Sequence, residues 1–263
     1  MRARSMSLQG QWRHWTQCNA LRDVPRSRAS AHNQSAMLNL GTDQLAALLR
    51  GAASSQRCRR AMPLKAMVIG EFNSGKTSLI NSLLGEPHLP TSVVANTTVV
   101  TVIGYAARPR LAIEGFDRTR VAVDWDLISC LPPQTARRLH VGLPLVALKS
   151  LQFIDTPGFA TGDEIRDQQT FRALSGADVI IWCTPAMQAW KASEQHTWFA
   201  LSERARRTGI LAITFGDALA SSADATRLLT RLNAEAGPHF RAIVMVKASA
   251  RPGHGSAGIL TRL

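Results

Sequence analysis

The stretch Gly70-Glu71-Phe72-Asn73-Ser74-Gly75-Lys76-Thr77 decides how the rest of this chain is interpreted. It matches the pattern G-x-x-x-x-G-K-[ST] of loops that bind the phosphates of nucleotides. That pattern is specific only where a strand precedes it and a helix follows. An apolar run at 66–69 and a helical pattern at 76–84 supply this context. We therefore predict a phosphate-binding loop at 70–77.

Each position in this loop has an expected role. Gly70 and Gly75 let the backbone turn its N–H groups towards phosphate oxygens, and the helix that follows adds the positive end of its dipole. Lys76 is expected to reach the β- and γ-phosphates, and the hydroxyl of Thr77 to bind Mg²⁺. The neighbouring Ser74 and Ser78 are expected to contact the nucleotide as well.

A second phosphate-site signal is Asp155-Thr156-Pro157-Gly158, about 80 residues after the loop. It directly follows the apolar run 151–154, so it is expected at the end of a strand. There the Asp155 carboxylate can hold Mg²⁺ through water, and Gly158 can meet the γ-phosphate. Alone, these four residues would be an ordinary turn.

From Ala66 onwards, apolar runs alternate with helical patterns, which predicts an α/β fold. The expected architecture is a mostly parallel, doubly wound sheet, which binds its ligand beyond the carboxyl ends of the strands. The stretch from about 107 to 150 interrupts this rhythm and is predicted to be an insertion at the sheet edge. The predicted strands are 66–69, 98–105, 111–113, 121–123, 151–154, 178–183, 210–214 and 242–246, and the predicted helices are 76–84, 164–174, 191–206 and 222–236.

Composition favours one main domain in a reducing cytoplasm. The chain has 263 residues, 45% of them hydrophobic, which suits a single sizeable core. The longest apolar run, 177–183, is too short to cross a bilayer. Four cysteines (Cys18, Cys58, Cys130 and Cys183) are spaced neither for zinc nor for a disulfide framework, and Cys183 is expected to be a buried strand residue.

The first 62 residues are strongly basic, with ten arginines against Asp23 and Asp43. They carry +8 of the net charge of +13, which leaves +5 for the rest of the chain. We predict a disordered basic leader over 1–36 and a short helical lead-in over 37–62, capped by Thr42 and ended by Gly51. The modest excess of charge after residue 62 suits an anionic lipid surface or RNA but requires neither.

Together, several motifs resemble those of bacterial dynamin-like large GTPases over about 67–250. The motifs that carry the resemblance are residues 70–86, Leu89-Pro90-Thr91, Asn96-Thr97-Thr98, Ile154-Asp155-Thr156-Pro157-Gly158-Phe159, Trp182-Cys183-Thr184-Pro185 and Gln188-Ala189-Trp190. The resemblance implies GTP binding and Mg²⁺-dependent hydrolysis, with GDP as product. It also implies a sheet of the P-loop GTPase type and activation by dimerisation. Peripheral contact of this cytoplasmic protein with a membrane stays open as an alternative.

The resemblance also implies roles for individual residues. Thr97 or Thr98, with Thr98 favoured, is the first-switch threonine that closes on Mg²⁺ and the γ-phosphate; the alternative is that both simply enter a strand. Asn73 lies where related GTPases hold a monovalent cation, K⁺ here; the alternative is an asparagine that stabilises its own turn. Phe159 stands where small GTPases keep a water-orienting glutamine, so hydrolysis is expected to need a second molecule that orders the site.

Two features depart from the family pattern. The guanine motif [NT]-K-x-D is here Thr214-Phe215-Gly216-Asp217, so Asp217 can accept from the base but the lysine is missing, and we expect GTP to be preferred over ATP. Ser249 resembles a residue of the last guanine-contacting loop, although an ordinary loop is the alternative.

The second departure is length. The family's stalk would follow residue 250, whereas 251–263 is poor helix-forming material, so we expect a truncated last helix. Two alternative functions stay open: a degenerate nucleotide-binding module that partners a stalk-bearing paralogue, and a basic GTPase associated with RNA or ribosomes. No specific nucleic acid is indicated, and membrane contact has no support in this chain itself.

Overall fold

A mixed nine-stranded sheet forms the centre of the computed structural model, which describes residues 41–57, 62–85, 99–125, 136–159, 174 and 176–246. Within these residues, no helix is both long and apolar enough to cross a membrane. In chain order, the elements are α1 (Gly41–Arg57), β1 (Leu64–Gly70), α2 (Lys76–Leu84), β2 (Val100–Tyr105), β3 (Arg110–Glu114), β4 (Arg120–Ala122), β5 (Arg138–Leu143), β6 (Leu151–Asp155), β7 (Val179–Pro185), α3 (Ala192–Ala200), α4 (Glu203–Arg207), β8 (Gly209–Thr214), α5 (Ser222–Glu235) and β9 (Ala242–Met245). Short 3₁₀ turns lie at Val146–Lys149, Ala186–Gln188, Gly216–Ala218 and Gly237–His239.

The strands lie in the order β4-β3-β5-β2-β6-β1-β7-β8-β9. β6, β1, β7, β8 and β9 form a parallel block, and β2 joins it antiparallel to β6. The three strands of the stretch 107–150 extend the sheet on the far side of β2. This architecture confirms the predicted α/β class with a mostly parallel sheet.

Each face of the sheet carries its own apolar core, as expected for a sheet covered on both sides. Along β1, Ala66 and Val68 enter the core formed with α1 and α2, whereas Met67 and Ile69 enter the opposite core. On that second side, Trp198 of α3 and Leu232 of α5 are fully buried. The alternation follows from the two-residue period of a strand.

A buried carboxylate holds the added edge strands together. Glu114, at the end of β3, accepts from Arg137 at 2.7 Å and from Arg120 at 3.3 Å, and it lies 2.7 Å from Nε2 of His140. Burial opposes ionisation of Glu114, but the hydrogen bond and charge of His140, together with Arg120 and Arg138, outweigh it and lower the pKa of this carboxyl. The carboxylate therefore links β3, β4 and β5.

Two predictions about secondary structure are wrong, and one strand was not predicted. The helix α1 runs through both Thr42 and Gly51 because Ala53 continues the buried face beyond the glycine. The predicted helix 191–206 is two helices, since Leu201 is extended and Ser202 starts α4 by accepting from the N–H of Ala205. The strand β5 was not predicted.

Two of the predicted segments lie wholly or almost wholly outside the described residues. The leader 1–36 lies outside the described residues, as does the predicted helix 164–174 apart from Leu174. Cys183 is buried within β7, as expected.

Candidate phosphate-binding site

The predicted phosphate loop connects β1 to α2 at the carboxyl edge of the parallel block. β1 ends at Gly70, and α2 begins at Lys76. The neighbouring parallel strands β6 and β7 end at Asp155 and Pro185, and β8 ends at Thr214. Since the ends of parallel strands meet at one edge, the topology brings these sequence-distant residues around the loop.

Lys76 is held inside the loop by the loop's own backbone. Its ammonium donates to the carbonyl oxygens of Glu71 at 2.7 Å and Gly70 at 3.3 Å, and the residue is only 8% exposed. Burial lowers the pKa of Lys76, while the charge of Asp155 opposes that shift. A desolvated ammonium held in this way can interact strongly with an anionic oxygen that enters the loop.

Asp155 and Thr77 form a buried oxygen cluster beside Lys76. The Thr77 hydroxyl donates to Oδ2 of Asp155 at 2.8 Å, while Oδ1 of the fully buried Asp155 has no hydrogen-bond partner in the part of the chain that the structure describes. Burial raises the pKa of Asp155 to about 6, although Lys76 and Thr77 favour the charged form. An unpartnered carboxylate oxygen next to a hydroxyl is the hard-oxygen donor set that Mg²⁺ prefers. These residues therefore fit the metal that the sequence predicts.

Gly158 lies against the backbone of the loop. A Cβ at this position would meet the Cα and N of Phe72 at 2.7 Å, which is closer than any side chain allows. Next to it, the N–H of Phe159 donates to the carbonyl of Gly70 at 3.1 Å, and the N–H of Phe72 donates to the carbonyl of Phe159 at 3.3 Å. Only glycine permits this close pairing of the two segments.

The side chain of Phe159 is turned into the core. It is 2% exposed and stacks on Trp182 with ring centroids 5.9 Å apart. Trp182 in turn makes edge contacts with Trp190 and Trp198, and both of these rings contact Phe240. The residue after Gly158 therefore packs in an aromatic cluster and does not offer a polar group to water.

The end of β8 contacts the loop from the other side. The hydroxyl of Thr214 donates to the carbonyl of Ser74 at 2.7 Å, and it also lies 3.2 Å from the carbonyl of Thr184. Phe215 has a left-handed backbone, and its ring lies so close to Gly75 that a Cβ there would be 2.9 Å from the ring. Phe215 thus covers the loop at the position where the guanine motif has lysine. Asp217 is exposed on the 3₁₀ turn that follows.

The remaining predicted site residues are placed as follows. Asn73 is exposed at the tip of the loop with a φ of 57°, a left-handed conformation that asparagine tolerates better than most residues. The hydroxyl of Ser74 is buried and has no hydrogen-bond partner among the described residues, and Ser78 is half-buried in the first turn of α2. Thr97, Thr98 and Ser249 lie outside the described residues, so their roles stay predictions.

A second group of polar residues beside the loop was not predicted. The carboxylate of Glu71 accepts from the Ser193 hydroxyl at 2.6 Å and pairs with the Lys191 ammonium at 2.6 Å. Glu194, which is fully buried, accepts from the Thr184 hydroxyl at 2.8 Å and from the Lys191 N–H at 3.1 Å. Burial raises the pKa of Glu194. The available signal was that Lys191 follows the end of β7, which would place it at the same sheet edge as Glu71.

Comparison with known proteins finds relatives in sequence and a solved structure with a similar fold. Dynamin-like protein 2 of Campylobacter jejuni is 32% identical over 133 residues, which cover 49% of this chain and 22% of that protein. The bacterial dynamin-like protein of Nostoc punctiforme is 24% identical over 150 residues, 50% of this chain and 22% of that protein. A solved structure of an oligomerised bacterial dynamin pair aligns with a TM-score of 0.57 and 23% identity, covering 82% of this chain and 36% of that chain.

The chain thus spans about a fifth of the length of these two relatives. The solved pair, at its low identity, supports the fold alone. The family is identified by the match to the Dynamin family model, which covers residues 66–214, more than half of the chain. The matched region includes the phosphate loop, Asp155, Gly158 and Thr214. The chain belongs to the Dynamin family.

Proposed function

We propose that this chain binds GTP at the loop 70–77 and hydrolyses it to GDP in the presence of Mg²⁺. The observation that carries the proposal is the buried group formed by Lys76, Thr77 and Asp155. Among the described residues, it combines an ammonium that donates to two backbone carbonyls with a carboxylate oxygen that has no hydrogen-bond partner. Such a pair is costly to bury unless a ligand completes it. A polyphosphate with its cation would do so.

Each residue then has a defined task. The loop backbone and Lys76 bind the β- and γ-phosphates, and Thr77 and Asp155 hold Mg²⁺, with Thr98 as a further candidate ligand. When bound, the metal neutralises negative charge on the phosphate oxygens. Gly158 lets its segment approach the loop closely enough for a backbone N–H to meet the γ-phosphate. Because Phe159 is packed on Trp182, the attacking water has to be oriented by backbone groups or by a second molecule.

Exposed apolar side chains support pairing of two molecules across this edge. Phe72 in the loop is 52% exposed, and Met187, just after β7, is 70% exposed. Large apolar groups that stay exposed beside a site favour an interface. In a closed dimer, K⁺ held beside Asn73 would act in a site with less water, where a fixed charge stabilises the transition state more strongly. The oligomerised bacterial dynamin pair is consistent with such pairing.

The base is proposed to be guanine. Asp217 is exposed and can accept the two hydrogen bonds that guanine offers and adenine lacks. The ring of Phe215, which lies against Gly75, replaces the lysine as an apolar cover. We extend the proposal to a cytoplasmic location with peripheral membrane contact, since the solved bacterial dynamin pair is described as sensing and tethering membranes.

The test is phosphate release by the purified chain with GTP, in Mg²⁺ and in EDTA, together with titration of a fluorescent GTP analogue. Lys76→Ala should abolish binding while the circular dichroism spectrum stays that of the wild type, because it removes the main positive charge facing the phosphates. Lys149→Ala, in the 3₁₀ turn before β6, is the matched control. Unchanged affinity in a folded Lys76→Ala protein would contradict the site. Binding without turnover would instead favour the nucleotide-binding module that partners a stalk-bearing paralogue.

A further inference from the structure

The phosphate loop carries a carboxylate of its own. Glu71 is the second residue of the loop, and it is 9% exposed. Its backbone carbonyl accepts from the ammonium of Lys76. The charge of its carboxylate also raises the pKa of that ammonium, against the larger, lowering effect of burial. A negative group therefore lies at the place where a polyphosphate is proposed to bind.

Lys191 and Ser193, at the start of α3, bind this carboxylate. One oxygen accepts from the Ser193 hydroxyl and the other pairs with Lys191, each at 2.6 Å. The hydrogen bond that the Lys191 ammonium donates to Glu71 raises the pKa of Lys191, so this lysine stays charged at neutral pH. The backbone of Lys191 is fixed too, because its N–H donates to Glu194 at 3.1 Å. The positive charge is thus positioned by α3, which follows the neighbouring strand β7.

We propose that Lys191 neutralises Glu71 and thereby allows the loop to accept a polyphosphate. This inference rests on the proposed nucleotide site and adds a residue outside the phosphate-loop motif to it. An uncompensated carboxylate would repel the phosphates and weaken the attraction of Lys76 for them. With Lys191 in place, the pair has no net charge. Lys191 is a positioning residue, since it acts through Glu71 and not by contact with the nucleotide.

The contribution of this pair to folding is expected to be small. The side chain of Lys191 is 44% exposed, and ion pairs of this exposure stabilise folded proteins little. The effect on an anionic ligand is larger because the ligand carries several charges. A charge-shielding role therefore predicts a loss of affinity that grows with the charge of the nucleotide, whereas a structural link between α3 and the loop predicts equal losses for all nucleotides.

The experiment measures GTP and GDP affinities by titration with fluorescent analogues for three test variants and two control variants. Lys191→Met should weaken GTP binding about tenfold and GDP binding by a smaller factor, as expected for one uncompensated charge at the edge of a site. Glu71→Gln leaves Lys191 unpaired and should strengthen GTP binding by about threefold on the same reasoning. The double variant restores neutrality and should bind within about threefold of the wild type.

Two controls separate charge from structure. Ser193→Ala removes the neutral hydrogen bond and should affect GTP and GDP equally. Lys149→Met changes the net charge by the same amount far from the site, before β6, and should change neither affinity. Thermal unfolding checks that each variant is folded. Equal losses for both nucleotides in Lys191→Met, or a double variant as weak as Lys191→Met, would overturn the inference. A wild-type chain that binds neither nucleotide would overturn the proposed site itself.

Discussion

Replacing Gly158 by alanine tests how closely the second phosphate-site segment must lie on the loop. The added Cβ would be 2.7 Å from the Cα and N of Phe72, and backbone atoms cannot move aside as a flexible side chain can. The segment must therefore separate from the loop. This breaks two backbone hydrogen bonds, Phe159 to Gly70 and Phe72 to Phe159, and pulls the ring of Phe159 away from Trp182.

The cost follows from these contacts. Each lost backbone hydrogen bond is worth about 1 kcal/mol, and exposure of a buried phenylalanine about 1.5–3 kcal/mol. If the whole segment is released, the free energy of unfolding falls by about 4 kcal/mol, which for a domain of this size lowers Tm by about 8–16 °C. GTP hydrolysis should fall at least about tenfold, because the N–H that meets the γ-phosphate is displaced.

Gly51→Ala is the matched control, since it also adds one methyl group to a glycine. A Cβ at Gly51 meets no heavy atom of the described residues within 4 Å, and Gly51 lies in the middle of the helix α1. It should raise the stability by up to about 1 kcal/mol and leave hydrolysis unchanged. Circular dichroism melting and phosphate release measure both variants. A Gly158→Ala protein with the Tm and hydrolysis rate of the wild type would refute the close pairing of the two segments.

Three further predictions concern the base, the cation and the sheet edge. GTP should compete with a labelled nucleotide better than ATP does, and Phe215→Lys should widen the difference; equal affinities would show that Asp217 does not read the base. The specific hydrolysis rate should rise with protein concentration and with K⁺ relative to a large inert cation, and Asn73→Ala should remove the K⁺ dependence; a rate independent of concentration would contradict pairing. Because the pKa of Glu114 is lowered on folding, its contribution to stability is present above the unfolded value of about 4.3 and is lost as pH falls through the folded value. Glu114→Gln should therefore flatten the loss of Tm between neutral and acidic pH, and an unchanged pH profile would rule out this role.

The centre of the fold could be predicted because its signals are local. The helix α2 spans Lys76–Leu84 as predicted, since a left-handed glycine, Gly75 or Gly85, lies at each end. The strands β1 and β6 were identified by short apolar runs. β1 begins two residues before its run and ends one residue after it, and β6 ends one residue after its run. Burial on both faces makes such strands continuously apolar, so they are easy to recognise.

The edge of the sheet was harder to predict, for a physical reason. The first half of β5 is only partly buried, and Arg138 and His140 interrupt any apolar run there. Its stability comes from pairing with β2 and β3 and from the carboxylate of Glu114.

At Gly51 the local sequence signal is clear but proves wrong. The sequence marks it as a helix end, but the burial of Leu49 and Ala53 on either side outweighs its low helix propensity.

Glu71 and Phe215 explain why sequence patterns leave part of the site unpredicted. Both occupy positions that their motifs leave variable or fill with another residue, and both contact segments far away in sequence. The hydrogen bond from Ser193 to Glu71 spans 122 residues, and it exists because β1 and β7 are adjacent, so the loops after them meet. The positions that a motif specifies bind the phosphates that are common to such sites. Glu71 and Phe215 instead contact neighbouring segments. The nucleotide affinity and base preference of this chain therefore have to be tested at Glu71, its partner Lys191, and Phe215.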